Sequence, residues 1–224
     1  MSNILSIETA TTVCSVCVSA GEKILAFKEV NSGYTHAENL HVFIQEVMKE
    51  AALSFSQLDA VAVSKGPGSY TGLRIGVSTA KGLCYAENIP LIAVDTLQSM
   101  AFAVAAQKKE DAFYCPMLDA RRMEVYCAVY DQHGKNVTPV NALVLDESSI
   151  QQFVKDKPVY FFGDGMDKAK QLLSTIKGAD FIENIVPSAK NMVALAAEKF
   201  SQKAFENLAH FEPFYLKEFF TKHP

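Results

Sequence analysis

The chain has 224 residues, 49% of them hydrophobic, which is enough to bury a substantial core in one large domain or in two lobes of about 100 residues each. Its 21 Lys and Arg residues against 25 Asp and Glu residues give a net charge of −4, which excludes a protein that neutralises nucleic-acid phosphates by basic excess alone. No apolar run approaches a membrane span, and the odd count of five cysteines argues against a disulfide framework, so we expect a cytoplasmic protein without a membrane anchor.

The first third of the chain predicts a meander followed by alternating helices and strands. Apolar runs separated by turns predict strands at residues 4–7, 13–19 and 24–30. Thr35 and Glu38 have capping-box spacing, so we expect a helix from residue 36 to about 51. Helical spacing then predicts a sheet-facing stripe, with Phe43 lying off it: Ala37, Leu40, Ile44, Val47 and Met48.

The following segments extend this pattern into one mixed α/β lobe. Strands are predicted at 60–63 and 91–94, and helices at about 71–86 and 96–107. Cys14 and Cys17 form a C-x-x-C within the second strand, where positions three apart point to opposite faces. We therefore interpret them as buried small hydrophobes, ahead of a redox or zinc pair.

The second half repeats this layout less clearly. Strands are predicted at 112–118, 124–130, 142–145 and 159–162, and helices at about 148–154, after 163–165, and at 191–205, before an aromatic tail at 211–220. A charged break at 108–111 gives two lobes, 1–107 and 108–224, with the last helix and tail packing back on the first as an open alternative. No residue-level repeat is present, but both parts run from a meander to alternating α/β structure.

A glycine-rich segment at residues 64–76, SKGPGSYTGLRIG, joins a strand to a helix. It matches neither the Walker A spacing nor the dinucleotide fingerprint, although free amides at a helix start still suit a generic anion. Ser69 and Thr71 are both candidate N-caps, and no His/Asp constellation indicates that Ser69 is a nucleophile.

The same segment places Gly72, Gly76 and Ala80 four residues apart on one side of the helix. Glycine costs roughly 1 kcal/mol relative to alanine in a helix interior, so two glycines indicate close approach of another backbone. That backbone belongs either to the protein's own sheet or neighbouring helix, or to a second protein received together with Phe43 and Val47.

Several segments resemble the TsaB (YeaZ) family of bacterial tRNA threonylcarbamoyladenosine biosynthesis proteins. They are residues 4–10 (ILSIETA), 36–40 (HAENL), 66–76 (GPGSYTGLRIG), 94–97 (VDTL) and 119–126 (DARRMEVY). The resemblance implies an α/β fold of two lobes, of the actin-like ATPase, sugar kinase and Hsp70 (ASKHA, ribonuclease H-like) superfamily, with mixed sheets flanked by helices.

The resemblance further implies a role without a reaction of its own. Family members act as the non-catalytic partner of a paralogue, TsaD, in the machinery that forms N6-threonylcarbamoyladenosine at position 37 of tRNAs reading codons that begin with A. It implies association with TsaD and the ATPase TsaE, a homodimer when alone, and contact with tRNA through the complex. The expected partner interface lies on the first two helices: His36, Asn39, Leu40, Phe43, Val47, Tyr70, Gly72, Arg74, Gly76 and Ala80.

No catalytic residue, metal or cofactor of its own is expected. The paralogue binds its metal through H-x-x-x-H on a helix, whereas His36 and His41 are five apart, or about 140° around a helix. The superfamily's hydrolytic Asp turn is replaced by Glu8-Thr9-Ala10-Thr11, and an acid one methylene longer degrades in-line positioning. ATP or ADP remains open at the junction of the complex, with a tentative nucleotide set: Glu8, Thr9, Thr11, Gly66, Gly68 and Ser69.

Two further possibilities stay open. One is a different class of protein, an ATP-dependent small-molecule kinase or nucleotide hydrolase of the same superfamily that holds ATP with Glu8, Thr9 and the glycine loops. The other concerns the turn after residue 118, where Asp119 is interpreted as a turn residue. Arg121 and Arg122, which follow it, could contact RNA phosphate or a partner carboxylate, or they could simply be solvated surface residues.

Overall fold

The structure is a computed structural model that describes residues 1–33, 35–153 and 156–217. The chain divides into two compact units, one formed by Met1–Ser99 with Pro187–Pro213 and the other by Met100–Val186 with the residues from Phe214 onward. No helix in the described ranges is both long and apolar enough to cross a membrane. The expected lobes, 1–107 and 108–224, stay a prediction beside this structural division.

The first unit contains a five-stranded mixed sheet. Its strands are β1 (Asn3–Glu8), β2 (Val13–Ala20), β3 (Lys23–Asn31), β4 (Ala60–Ser64) and β5 (Leu91–Val94), in the order β3-β2-β1-β4-β5. The first three strands are antiparallel neighbours, whereas β4 runs parallel to β1 and β5 parallel to β4. Helix α1 (His36–Glu50) precedes β4, α2 (Tyr70–Glu87) joins β4 to β5, and α3 (Thr96–Lys108) follows β5.

The two faces of this sheet differ in chemistry because side chains alternate along each strand. Leu5, Ile7 and Val16 lie on the face that packs with Leu40 and Ile44 of α1 in the main hydrophobic core. The opposite face, which we call the polar face, carries seven small or polar side chains beside the apolar Ile4, Ile92 and Val94, and all of them are buried: Ser6, Glu8, Ser15, Cys17, Ser19, Ala62 and Ser64.

A segment from near the end of the chain covers the polar face. It contains a 3₁₀ helix at Ala189–Met192 and helix α5 (Val193–Ser201). Ala189 and Val193 pack with Cys17, the Ala189 amide donates to Ser15 Oγ at 2.8 Å, and Lys199 Nζ donates to the Ala93 carbonyl at 2.8 Å. Strands β1 and β2 are thus buried on both faces, which makes this unit a two-sided α/β layer.

The second unit repeats the strand order of the first. Its strands are β6 (Phe113–Asp119), β7 (Glu124–Cys127), β8 (Asn141–Val144), β9 (Val159–Phe162) and β10 (Ala179–Ile182), in the order β10-β9-β6-β7-β8. Again three strands form an antiparallel meander, β9 runs parallel to the first of them, and β10 runs parallel to β9. A 3₁₀ helix at Ser149–Phe153 and α4 (Met166–Leu173) complete the described unit. The two meander-then-α/β halves predicted from the sequence are confirmed.

Several local predictions were wrong. Thr35 caps α1 only through its backbone, because its hydroxyl faces Ser32 and its φ and ψ of −101° and 20° are not extended. Ala37 is exposed, and buried His36 takes its place on the stripe. The segment 148–154 forms a short 3₁₀ helix over its described residues, and the last helix ends at Ser201, ahead of the left-handed Lys203. Strand β10 was not predicted. Part of the aromatic tail, 218–220, lies outside the described residues.

Candidate functional site

Glu8 ends β1 and lies fully buried on the polar face. Its Oε1 accepts hydrogen bonds from the Ala10 amide at 2.6 Å and from Ser64 Oγ at 2.8 Å, while Oε2 has no hydrogen-bond partner among the described residues. Desolvation by burial raises the pKa of this carboxyl to about 7, and the two hydrogen bonds offset part of that rise. Near neutral pH the group is therefore partly protonated, unlike the ionised carboxylate that would position a metal or a water.

Thr9, the next residue, docks the first turn onto α2. Its Oγ1 donates to the Gly72 carbonyl at 2.8 Å. A Cβ added to Gly76 would overlap Thr9 Oγ1, and one added to Gly72 would overlap the Thr9 carbonyl oxygen. The backbone that approaches this glycine face is therefore the chain's own first turn, which is one of the two alternatives left open by the sequence.

His36 completes this contact from the start of α1. Its Nε2 lies 2.7 Å from the Thr11 carbonyl oxygen, and its ring would lie 3.4 Å from a Cβ on Gly72. Desolvation by burial lowers the pKa of His36, so the neutral ring is favoured. The imidazole joins the first turn, α1 and α2 at one point.

The glycine loop also packs on the first turn. Gly66 has φ of +108°, and a Cβ on Gly68 would overlap the Ala10 carbonyl oxygen. The Ser69 amide donates to that oxygen at 2.6 Å, and Ser69 Oγ caps α2 by accepting from the Gly72 amide at 3.3 Å. The Ser69 and Gly72 amides, which could otherwise bind a phosphate, thus already have acceptors within the chain. The prediction of Ser69 as an N-cap is confirmed.

The expected interface residues divide between core and surface. Leu40, Val47 and Ala80 are fully buried in the core, and His36, Gly72 and Gly76 lie against the first turn, so the chain itself covers these six residues. Asn39, Phe43 and Tyr70 are half-buried, and Arg74 is exposed with its guanidinium 4.3 Å from the centroid of the Tyr70 ring. The second-protein contact itself stays a prediction.

The sequence reasoning missed three accessible positions on these helices. Val42 of α1 is 48% exposed, Tyr85 of α2 is 82% exposed, and a Cβ on Gly82 would meet no atom within 4 Å. Helical periodicity places Gly82 and Tyr85 away from the Gly72–Gly76 stripe, and this is the sequence signal that could have identified them as exposed.

A second polar cluster lies where β4 and β5 end. Asp95 Oδ2 is 3.9 Å from Lys65 Nζ, and burial raises the pKa of Asp95 against the pull of that lysine. Burial lowers the pKa of Lys199, which is also repelled by Lys65. Asp95 lies in the segment 94–97 that carries part of the family resemblance. A polar residue directly after a buried parallel strand is the sequence signal that could have placed it at this edge of the sheet.

Within residues 1–33, 35–153 and 156–217, no three His, Cys, Asp or Glu side chains lie close enough together to hold a metal ion. Cys14 and Cys17 are unpaired and buried on opposite faces of β2, as predicted, and burial raises their pKa values to about 11 and about 12.

Two units of one strand order, each with an acidic residue at the end of the first strand and a glycine loop after the fourth, define the class: an α/β protein built from two similar units with mixed five-stranded sheets. The activator of 2-hydroxyisocaproyl-CoA dehydratase from Clostridium difficile, solved with bound ADPNP, shares this fold at a TM-score of 0.54 and 12% identity, covering 92% of this chain and 98% of that one.

Within that class the relationship is more specific. The model of the family described as TsaD, tRNA N6-adenosine threonylcarbamoyltransferase, matches residues 31–223, and the chain belongs to this family, in its TsaB/YeaZ branch. The tRNA threonylcarbamoyladenosine biosynthesis protein TsaB of Escherichia coli is 29% identical over 96% of this chain and 94% of its own length. A Pseudomonas aeruginosa protein described as similar to peptidase YEAZ aligns at a TM-score of 0.83 and 23% identity, covering 97% of this chain and all of that one.

Proposed function

We propose that this chain is a non-catalytic scaffold and activating subunit of the machinery that forms N6-threonylcarbamoyladenosine at position 37 of tRNAs reading A-starting codons. It binds a catalytic TsaD-type paralogue through the outer faces of α1 and α2. Family membership and the TsaB relatives support the pathway. The contacts of the first turn support the non-catalytic role within the pathway.

The observation that carries this proposal is the internal use of the first turn. In a phosphate-transferring member of the class, an exposed acid and free amides would face the nucleotide. Here Glu8 is fully buried with its pKa raised to about 7, and the Thr9 hydroxyl donates to α2. The turn holds α1 and α2 in place, so it supports a binding surface better than a reaction.

The outer faces of these helices provide that surface. The outer side of α2 carries Ser78, Gly82 and Tyr85, and α1 adds Val42 and half-buried Phe43. Small residues let a partner helix approach closely, and an aromatic ring such as Tyr85 anchors an interface at low entropic cost. This face replaces the Gly72–Gly76 stripe as the place of contact.

Replacing Gly82 with Arg tests this surface. The added side chain projects into open space and improves helix propensity, so the chain stays folded while the close approach is blocked. We expect the variant to lose capture of the catalytic paralogue and modification activity in a reconstituted mixture. Gly82→Ala is the matched control and should retain both. Wild-type capture by Gly82→Arg would show that α2 is not the contact.

The same variant tests self-association. We propose that the chain forms a homodimer through this face when alone, so Gly82→Arg should be monomeric in light scattering at concentrations where Gly82→Ala is dimeric. Association with the ATPase TsaE, and ATP or ADP at the complex junction, belong to the same proposal. Rapid ATP turnover by the purified chain, abolished in Glu8→Ala, would instead favour the kinase or hydrolase alternative.

A further inference from the structure

The first turn of the second unit stands at the position that Glu8 occupies in the first. Strand β6 ends at Asp119, and the loop Gly163-Asp164-Gly165 follows the parallel strand β9. A Cβ on Gly165 would lie 2.7 Å from the Leu118 carbonyl carbon, and Asp164 Oδ1 accepts from the Asp119 amide at 3.0 Å. The glycine loop therefore presses against the turn in both units.

The side chains of the second turn have the opposite exposure. Whereas Glu8 is buried, Arg121 and Arg122 are both exposed. Both adopt left-handed backbone conformations, with φ of +68° and +51°. Consecutive left-handed residues are typical of a tight hairpin turn, and here they connect β6 to β7.

Hydrogen bonds on both sides hold this turn in place. The Arg121 amide donates to Asp119 Oδ1 at 2.8 Å, and the Glu124 amide donates to the Arg121 carbonyl at 3.2 Å. Lys168 of α4 donates to the Arg122 carbonyl at 2.9 Å and also pairs with the Asp119 carboxylate. The backbone of the turn is therefore held by hydrogen bonds while both arginine residues are exposed.

The neighbouring charges leave the two arginines available. Lys168 pairs with Asp119, and Lys217 pairs with Glu124, so two of the carboxylates beside the turn have lysine partners, while the Asp164 carboxylate accepts a hydrogen bond from the Asp119 amide. Arg121 is close enough to Asp119 to interact electrostatically, but within the described part of the chain neither guanidinium forms an ion pair. Two adjacent arginines are thus exposed on a chain whose net charge is −4.

We propose that Arg121 and Arg122 form a contact site for the phosphate backbone of RNA. A guanidinium binds phosphate oxygens bidentately, and two of them on a preordered turn lose little conformational entropy on binding. RNA is favoured over an acidic protein because the family description names a tRNA as substrate, and on this point the inference rests on the proposed function. Such contacts position the RNA without reading its sequence.

Asparagine substitutions test the site without disturbing the turn. Asn adopts left-handed backbone more readily than Arg, so Arg121→Asn and Arg122→Asn remove charge while retaining the conformation. The matched control is Lys109→Asn, which removes one charge from an exposed residue with φ of +55° near the other end of β6. The probe is an in vitro transcribed tRNA, titrated with the full-length chain by fluorescence anisotropy between 50 and 200 mM salt.

We expect each Arg variant to bind more weakly and to lower the slope of log K against log salt by roughly 0.7–0.9, with Lys109→Asn unchanged. Equal slopes for wild type and the Arg variants, or no salt-dependent binding by wild type, would overturn the site. Loss of paralogue capture with unchanged tRNA binding would assign the arginines to a protein carboxylate instead. Gly82→Arg separates the two proposals, because it should lose the paralogue and keep the tRNA slope.

Discussion

Glu8 shows at the residue scale how the fold changes the chemistry of one side chain. Among the described residues, one oxygen of this fully buried carboxyl accepts hydrogen bonds from the Ala10 amide and the Ser64 hydroxyl, and the other oxygen accepts none. Burial raises its pKa from 4.5 to about 7, so the folded chain holds this proton more tightly than the unfolded chain does. Its contribution to stability is therefore present at low pH and is lost as the pH rises through about 7.

Replacing Glu8 with Gln should remove this pH dependence. A rise in the Glu8 pKa from 4.5 to about 7 corresponds to about 2–3 kcal/mol of unfolding free energy lost between pH 5 and pH 8 in the wild type. Gln has the same shape and does not titrate, so its stability should change less over that range. Urea unfolding at pH 5, 6, 7 and 8 measures both chains. Parallel pH curves would show that Glu8 is not responsible.

At the scale of elements, α2 has two glycine positions with opposite surroundings. Gly76 faces Thr9 Oγ1 at overlap distance for an added Cβ, whereas Gly82 faces open space. Both lie within one helix, so helix propensity alone would favour alanine at each by about 1 kcal/mol. Comparing alanine substitutions at Gly76 and Gly82 therefore distinguishes the effect of packing on stability from the effect of helix propensity.

Gly76→Ala should lower the unfolding free energy by about 1–3 kcal/mol, because the methyl group displaces the first turn, while Gly82→Ala should raise it by up to about 1 kcal/mol. Denaturant unfolding compares the two variants. Thr9→Ala combined with Gly76→Ala should recover part of the loss, since the overlapping oxygen is gone. Equal effects of Gly76→Ala and Gly82→Ala would contradict the packing described for α2.

Sequence patterns predicted the elements better than their contacts. The spacing of Gly72 and Gly76 correctly indicated a close approach, but spacing cannot name the approaching chain, and Thr9 is 63 residues from Gly72. The capping box failed at Thr35 because the backbone there is not extended. Strand β10 was missed because its residues Ala179–Ile182 are only half-buried to exposed and lack a continuous apolar run.

At the scale of the molecule, the first unit is assembled from two distant parts of the chain. Residues 187–213 cover the polar face of its sheet, where Cys17 packs with Ala189 and Val193. That contact contains few large apolar side chains, whereas the opposite face packs into the main core. The sequence predicted that both halves run from a meander to alternating α/β structure, but the polar face is not evident from composition, since its serines are ordinary strand residues by sequence.

Val193→Asp should detach α5 from the polar face, because a carboxylate would replace a side chain that is 4% exposed over Cys17. We expect alkylation of Cys17 to accelerate at least about tenfold, while Cys14 on the other face stays protected. Mass spectrometry of the labelled peptides gives both rates in one sample. Ser201→Asp, an exposed position at the end of α5, is the control and should leave Cys17 unreactive. Equal acceleration at both thiols would indicate general unfolding instead.

The two-part assembly of the first unit also orders the events of biosynthesis. Ser99 leaves the ribosome 114 residues ahead of Pro213, as 213 − 99 gives, so at about 5–20 residues per second the first sheet waits roughly 6–20 s for its cover. During that interval the face that carries Ser6, Glu8, Ser15 and Ser19 lacks the cover it has in the folded chain. Ile4 and Ile92 lie on the same face, but its polar side chains reduce the apolar surface left open, so we expect less aggregation of the uncovered sheet than if the whole face were apolar.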